Sequence, residues 1–378
     1  GDGTRDSRYD GVAPEAKLYF QALEHDVQDT FYSPSLNSLF NSAYSAGVRT
    51  HTNSWGDYQN YGAYTTDSED VDDRANAYDR YYSGYDGLTI LFAAGNDGPS
   101  AGSVSPPATA KNPITVGSTQ NRYSGAGNIM QSSARGPTDD GRIKPDIMAP
   151  GGYVRSCRAQ EAQDTGGSSW QSAWYLEYSG TSMAAPNAAG AATLVREYLE
   201  EIAQRSSPQG ALVKSMLILG ADDIGTRDIP NNNEGWGEIN LRNTLSPTGN
   251  RGIWVDDRNS LSAGTSRDFL LNVTQTGQPL KIVLTWSDHR GSRFSSKQLV
   301  NDLNLELIAP DGTTYLGNVF SAGHSVTGGV ADDTNNVEVT LVDSAISGIW
   351  TARVTDVNHG GPRAQQFAIS ASGVGIND

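Results

Sequence analysis

The sequence has only one cysteine, Cys157, and only six lysines in its 378 residues. A single thiol excludes an intrachain disulfide and any metal site built from several thiolates, so we interpret Cys157 as a small space-filling residue. Acidic residues outnumber basic ones by 43 to 27. The resulting net charge of -16 argues against a nucleic-acid partner and against an anionic membrane surface, since both require basic patches on the protein. No apolar run approaches the roughly 20 residues that a membrane-spanning helix needs.

The first two thirds of the chain alternate between strand-like and helix-like patterns. Residues 16–23 and 88–94 resemble buried strands, whereas residues 35–46 and 184–202 have apolar residues at helical spacing. Ser35 is a typical N-cap residue, and Gly47 is a typical helix stop. Strands that alternate with helices predict a parallel sheet covered on both faces.

The pattern changes near residue 247, where proline and glycine cluster. Short alternating runs follow, separated by turn residues, at 267–273, 280–286, 304–309, 337–341, 350–354 and 366–371. Such runs predict an antiparallel sandwich or jelly roll. We therefore predict two domains: an α/β domain over residues 1–247 and an all-β domain over residues 251–376.

Two segments point to nucleophilic catalysis. The segment GTSMAAP places Ser182 directly before an alanine-rich helical pattern, where free N–H groups and the helix dipole stabilise developing negative charge. The segment AAGNDG places Asn96 after a buried strand, where its amide can be held rigidly as a hydrogen-bond donor. A serine at a helix N-terminus is by itself usually only a cap. The prediction of a catalytic nucleophile therefore depends on the two segments together.

These segments, and NSWG at residues 53–56, resemble the subtilase family of serine peptidases. The resemblance covers essentially the whole chain and is closest to alkaline proteases of the KP-43 type, which carry a C-terminal jelly roll. It implies a subtilisin-like α/β domain, Ser182 as nucleophile, Asn96 as oxyanion donor, and a substrate-binding strand at Ser54, Trp55 and Gly56. It also implies a cis proline at Pro107, polypeptide substrates, an extracellular location and a monomeric complete enzyme.

The sequence departs from the family in its catalytic partners. Subtilases order their triad as Asp, His and Ser, and the first two blocks belong upstream of the GVAP segment, which here begins at Gly11. Neither block is present. The segment DTG at residues 164–166 lies in the wrong place in chain order. None of the histidines lies in a Gly-Thr-His context; they are His25, His51, His289, His324 and His359.

We therefore expect the N-terminal segment of the same protein to supply the histidine and aspartate. Truncation, a separate complementing chain, and a pseudopeptidase that binds without cutting remain open. A sandwich that serves mainly as a protein-binding module is an alternative from another class. It would favour an exposed aromatic strip, whereas Trp286 and Trp350 alternate with apolar residues and resemble core positions.

Acidic and amide side chains cluster at strand ends of the second domain. The candidate calcium ligands are Asp288, Asp302, Asn304, Asn336 and Glu338. Calcium takes six to eight oxygen ligands at about 2.4 Å, and such side chains with backbone carbonyls supply them. The family resemblance also implies structural calcium in a domain of this type. No organic cofactor is expected.

Overall fold

The computed structural model describes residues 10–25, 30–31, 34–80, 84, 86–122, 125–158 and 168–376. Its helices in these ranges are α1 (Leu36–Ser45), α2 (Thr66–Tyr78), α3 (Thr181–Glu201), α4 (Gly210–Gly220) and α5 (Leu241–Leu245). Its strands before the sandwich are β1 (Glu24–His25), β2 (Thr30–Phe31), β3 (Thr50–Asn53), β4 (Thr89–Ala93), β5 (Ile114–Gln120), β6 (Ile147–Gly152), β7 (Val154–Cys157), β8 (Trp170–Gln171) and β9 (Tyr175–Tyr178). None of these helices has both the length and the hydropathy to cross a membrane.

Strands β3, β4, β5 and β6 form a parallel sheet in that order. Alternate residues of β4 face opposite sides of this sheet. Leu91 and Ala93 pack with the alanines of α3, whereas Ile90 and Phe92 pack with α1 and α2. The sheet is therefore covered on both faces, which confirms the predicted α/β fold.

The predicted first helix is confirmed, together with its cap. The Ser35 hydroxyl accepts a hydrogen bond from the Ser38 N–H, which satisfies one of the free donors of the first turn of α1. Gly47 follows the helix with φ at +94°, a left-handed conformation that favours glycine. The apolar side of α1 packs towards the sheet through Leu36, Leu39 and Phe40.

The buried strand predicted at residues 16–23 is wrong. These residues form no strand, and the side chains of Leu18 and Phe20 are 95% and 89% exposed. An apolar run becomes a buried strand only where a neighbouring strand and a covering layer adjoin it. In the described part of the chain residues 16–23 pair with no strand; Gln21 instead bonds through its side chain to Leu39 of α1 and to His51 of β3.

The second domain is a sandwich of two antiparallel sheets. Its strands are β10 (Arg251–Leu261), β11 (Ser266–Val273), β12 (Gln278–Thr285), β13 (Asn301–Ile308), β14 (Thr314–Ser321), β15 (His324–Thr327), β16 (Val337–Ala345), β17 (Gly348–His359) and β18 (Gln365–Val374). One sheet has the order β10-β18-β12-β16, and the other has the order β11-β17-β13-β14-β15. Trp286 and Trp350 are each 1% exposed in the core between the sheets, which confirms that they are core residues.

Several strands were not predicted. Three belong to the sandwich, namely β10, β14 and β15, and three form the small antiparallel sheet β7-β9-β8 that directly precedes α3. The remaining two are the short pair β1 and β2. The buried positions of β10 include the charged residue Asp257, which interrupts the apolar alternation on which the prediction depended. The last helix of the first domain ends at Leu245 and β10 begins at Arg251, so the boundary at residues 247–251 stays a prediction.

Helix α4 joins the two domains. All eleven of its residues are buried, because α3 and the parallel sheet cover one side and the sheet β10-β18-β12-β16 covers the other. Polar side chains cross this contact as well. The Thr285 hydroxyl donates to the Ala211 carbonyl, and the buried Ser215 and Ser370 hydroxyls lie 2.6 Å apart. The α/β core and the sandwich therefore share one continuous interior.

Candidate active site

The candidate site lies at the carboxyl ends of β3 and β4, where parallel sheets usually bind their ligands. The residues that follow these two strands meet the N-terminus of α3. The Ser54 hydroxyl donates to the Ser182 carbonyl at 2.9 Å, and Thr181 contacts Asn96. The structure thus brings together the predicted nucleophile, the predicted oxyanion donor and the predicted substrate strand.

The Asn96 side chain is held in one orientation. Its Oδ1 accepts hydrogen bonds from the Thr181 N–H at 2.9 Å and from the Thr181 hydroxyl at 3.1 Å. The Nδ2 group, the donor end of the amide, has no partner among the described residues. Gly180 allows this approach, because its φ is +150° and a Cβ there would lie 3.2 Å from Asn96 Oδ1.

Ser182 is the second residue of α3 and is partly exposed. Within the described chain its N–H donates to no acceptor, as expected for the first turn of a helix. This free N–H and Asn96 Nδ2 are two donors at the same helix start, and the helix dipole adds positive potential there. This arrangement is suited to stabilising the carbonyl oxygen that becomes negatively charged when the Ser182 hydroxyl attacks a carbonyl carbon.

The predicted substrate strand continues β3 at an accessible position. Ser54 is exposed, and Trp55 and Gly56 are partly exposed. The Trp55 ring packs edge-on against the buried Phe92 ring at a centroid distance of 5.5 Å, which fixes this segment to the sheet. The predicted cis proline is also confirmed, since the peptide bond between Pro106 and Pro107 is cis.

No described histidine is placed to serve Ser182. His51 lies on β3 and packs edge-on against Phe40 of α1, on the sheet face opposite α3. Burial lowers its pKa to about 4, so the ring is neutral and bonds to Gln21 and Asn53 instead. His289, His324 and His359 lie in the sandwich domain. The side chain of His25 and residues 164–166 are outside the described residues.

Three of the five predicted calcium ligands carry buried oxygens without a hydrogen-bond partner: Asp302 Oδ1, Asn304 Oδ1 and Glu338 Oε1. Asp302 and Asn304 share a face of β13, and Glu338 reaches the same strand, where its other oxygen accepts from the Leu305 N–H at 2.5 Å. Burial, with repulsion from neighbouring carboxylates, raises the pKa of Asp302 to about 6 and that of Glu338 well above its usual range. A bound cation would satisfy these oxygens and favour their ionised forms.

The other two predicted ligands are placed elsewhere. Asp288 accepts hydrogen bonds from Lys111 and from the N–H groups of Val300 and Asn301, so both of its oxygens are occupied. Asn336 donates its amide to the Asn112 side chain and to the Trp286 carbonyl. Both residues hold the two domains together, and the structure does not bring them to the three unpartnered oxygens.

A further acidic group lies in the loop after α4. Asp223, Asp228 and Glu234 have ligand atoms within 4.8 Å of one another. Most of these oxygens already accept hydrogen bonds from the same loop, from the N–H groups of Asp228, Ile229 and Ile224 and from Asn231. The group therefore stabilises its own turn.

Sequence reasoning missed two residues that shape the site and one that joins the two domains. Thr181 binds Asn96 with both its N–H and its hydroxyl, and the signal was present in the motif GTS. Ser105 lies between the ends of β3 and β4, and Lys111 anchors the sandwich. The roles of Ser105 and Lys111 depend on residues distant in the chain, so no local pattern reveals them.

Comparison with known proteins agrees with this geometry. The family model described as "Peptidase_S8: Subtilase family" matches residues 1–237. The serine protease/ABC transporter B family protein tagB of Dictyostelium discoideum is 26% identical over 89% of this chain and 24% of its own length. The serine protease AprX of Bacillus subtilis (strain 168) is 31% identical over 47% of this chain and 39% of its own length.

Among solved structures, the prenylagaramide maturation protease PagA is 19% identical, with a TM-score of 0.46 over 65% of this chain and 78% of that one. The chain spans about a quarter of the length of the Dictyostelium relatives that it matches, 24% for tagB and 25% for tagD. The resemblance to proteases of the KP-43 type stays an expectation.

Proposed function

Because this chain belongs to the subtilase family, we propose that it is the nucleophile-bearing part of a secreted serine endopeptidase that hydrolyses polypeptides. The observation that carries the proposal is the fixed Asn96 amide beside the free N–H of Ser182. A protein that only bound peptides would need neither the nucleophile nor an oriented oxyanion donor. We also propose that the complete enzyme is monomeric and acts without an organic cofactor.

In the proposed reaction, Ser182 Oγ attacks the carbonyl carbon of the scissile peptide bond and its proton passes to a histidine. Asn96 Nδ2 and the Ser182 N–H receive the negative charge on the carbonyl oxygen. The C–N bond then breaks, the amine leaves with the proton, and water hydrolyses the acyl-enzyme. One such side-chain donor contributes about 3 kcal/mol, a magnitude measured in subtilisin, a member of the same family.

We propose that the histidine and its aspartate come from a segment outside this chain. The packing of His51 against α1 and the location of the other described histidines in the sandwich domain support this. Removing the histidine alone costs on the order of 10⁶-fold in kcat, again in subtilisin itself. The isolated chain is therefore expected to be nearly inert.

The test is labelling of Ser182 by a fluorophosphonate probe. The chain alone should label slowly, and the chain combined with the complementing N-terminal segment should label rapidly. Ser182→Ala should abolish labelling, whereas the matched control Ser262→Ala, in an exposed sandwich turn, should not change it. Rapid labelling of the isolated chain would mean that it contains a base, and no labelling of the combined protein would indicate a pseudopeptidase.

We further propose a structural calcium ion at Asp302, Asn304 and Glu338. Their buried oxygens without partners support it, because a buried carboxylate that lacks a partner is costly. The ion would neutralise these carboxylates and cross-link β13 of one sheet to β16 of the other. Its chemistry would be structural, since these residues lie in the sandwich domain and Ser182 lies in the α/β domain.

A further inference from the structure

A cavity of about 430 Å³ lies beside helix α3 in the part of the chain that the structure describes. Its wall includes the apolar side chains of Val12, Ala191, Ile239 and Leu241. Val12 fits against α3 because of Gly190, where a Cβ would lie 2.7 Å from the Val12 Cβ. Cavities of this volume are typical of sites that bind small organic molecules, so the space is sufficient for a ligand of about ten non-hydrogen atoms.

The cavity shares α3 with the candidate active site but is formed by other residues. On α3 it is lined by Asn187, which comes after Ser182 in the helix and donates its amide to the Pro150 carbonyl at 2.7 Å. Pro150 belongs to β6, whereas Asn96 follows β4, and β5 separates these two strands in the sheet. The two sites therefore have no lining residue in common.

Two carboxylates line the cavity next to each other. The backbones of Asp222 and Glu238 form an antiparallel bridge, in which the Asp222 N–H donates to the Glu238 carbonyl at 2.9 Å and the Glu238 N–H donates to the Asp222 carbonyl at 2.7 Å. Residues that face each other in this way project their side chains to the same side, where two like charges repel each other. The backbone pairing thus concentrates negative charge at the cavity.

Neutral donors occupy all but one of the oxygens of this acidic pair. The Asn240 and Asn243 amides donate to the two Asp222 oxygens at 2.6 Å and 2.8 Å, and the Thr119 hydroxyl donates to Glu238 Oε1. Glu238 Oε2 accepts no hydrogen bond from the residues that the structure describes. A calcium ion needs six to eight oxygen ligands, so a single available carboxylate oxygen is better suited to the N–H donors of an organic cation.

The acidic pair also has no basic partner within the described ranges. Neither carboxylate forms an ion pair there, and Lys281, whose charge acts on Asp222, donates its ammonium to the Ile218 carbonyl instead. Burial raises the pKa of Glu238 and the charge of Asp222 raises it further, although the hydrogen bond from Thr119 acts in the opposite direction. A cation in the cavity would therefore lower the electrostatic cost of both carboxylates.

We infer that this cavity binds an organic cation, a primary ammonium or amidinium group carried on an apolar body of about eight carbon atoms. The cationic group pairs with Glu238 Oε2, and the apolar body packs against Val12, Ile239 and Leu241. Charge pairing and apolar burial both contribute to affinity, so a molecule with only one of these features binds weakly. The site is additional to the proposed peptidase reaction and does not depend on it.

The test measures dissociation constants for the whole chain by ligand-detected NMR, with phenethylamine as the probe. Phenethyl alcohol has nearly the same shape without the charge, and methylamine has the charge without the apolar body. We expect phenethylamine to bind with a Kd of about 1 mM. The alcohol and methylamine should each bind at least about tenfold more weakly.

The decisive variant is Glu238→Gln, which removes the charge and keeps an acceptor for the Thr119 hydroxyl. It should weaken phenethylamine binding about tenfold and leave phenethyl alcohol binding unchanged, which would show that the cavity is intact. Glu306→Gln, on strand β13 of the sandwich, is the matched control and should keep the full affinity. Ser182→Ala should also keep it, because the amine binds apart from the candidate active site.

Equal binding of phenethylamine and phenethyl alcohol, or an amine affinity that Glu238→Gln does not change, overturns the inference. Absence of saturable phenethylamine binding overturns it as well, and so does loss of binding in Ser182→Ala, which would assign the amine to the candidate active site. If Glu238→Gln does not fold, the comparison of the three probes on the unaltered chain decides. All of these outcomes leave the proposed peptidase function standing.

Discussion

The α/β domain has a covered margin, where α4 and the sandwich meet it, and an uncovered margin, where residues 16–23 pass β3. On the α4 side, the sandwich buries every helix residue, and the fully buried Lys111 ammonium pairs with Asp288 at 2.5 Å. On the β3 side, the preceding chain leaves Leu18 and Phe20 exposed. The comparison teaches that the sandwich completes the core of the α/β domain, whereas the chain beside β3 leaves large apolar side chains in solvent.

The largest expected effect comes from breaking the covered margin at its buried ion pair. Lys111 also donates to the carbonyls of His289 and Gln298, so Lys111→Met leaves Asp288 charged and unpaired in the interior. We expect a loss of about 3–5 kcal/mol in the free energy of unfolding, measured by urea denaturation. The exposed pair Arg353–Asp268 is the control, and Arg353→Met should cost less than about 1 kcal/mol. Equal losses in the two variants would contradict a special role for the covered margin.

A second prediction concerns the capping of α4 by Asp79. Its carboxylate accepts from the N–H groups of Gly210 and Ala211 and from the Ser287 hydroxyl, while burial raises its pKa to about 6. Because the folded-state pKa lies above the ordinary value of 3.8, its stabilising contribution is complete below about pH 4 and is lost as pH rises through 6. The change is on the order of 3 kcal/mol.

Unfolding free energies measured at pH 4, 5.5 and 7 test the pH dependence expected from Asp79. Asp79→Asn should remove that part of the pH dependence. The control is Asp268→Asn, since the hydrogen bond from Arg353 lowers the pKa of Asp268 and gives the opposite sign. A wild-type and an Asp79→Asn profile that run parallel would exclude Asp79 as the titrating group.

A third prediction concerns the calcium ion proposed for the sandwich. Calcium in hundredfold excess over its Kd should stabilise the chain by about 2.7 kcal/mol relative to EGTA, seen as a higher melting temperature at fixed ionic strength. Asp302→Asn should abolish the shift, and Asp311→Asn should keep it. A melting temperature that does not respond to calcium would remove the ion from the sandwich.

The smallest effect is expected at the uncovered margin. Leu18→Ser/Phe20→Ser should change the unfolding free energy by less than about 0.5 kcal/mol, because both side chains are already in water. The buried Leu39→Ala, by contrast, should cost about 2–5 kcal/mol. Sedimentation should show less self-association in the double variant. A large loss of stability would mean that this margin is covered in solution.

Much of the fold follows from local patterns. The prediction of the helix at residues 35–46 depended on an N-cap, a glycine stop and helical spacing, all within thirteen residues. The prediction of the sandwich core depended on the strict alternation of apolar and polar residues around Trp286 and Trp350. The strand predicted at residues 16–23 failed because burial depends on what lies beside a strand, which a run of apolar residues does not contain.

The sequence by itself determined the family and singled out Ser182 and Asn96 as the candidate nucleophile and oxyanion donor, because contiguous motifs carry them. Only the tertiary structure decided which polar residues serve a site and which serve the interior. It assigned Asp288 to the pair with Lys111, and it left oxygens of Asp302, Asn304 and Glu338 without partners. The physical reason is that hydrogen bonds and charge interactions depend on distances between residues far apart in the chain, whereas a motif records only neighbours in sequence.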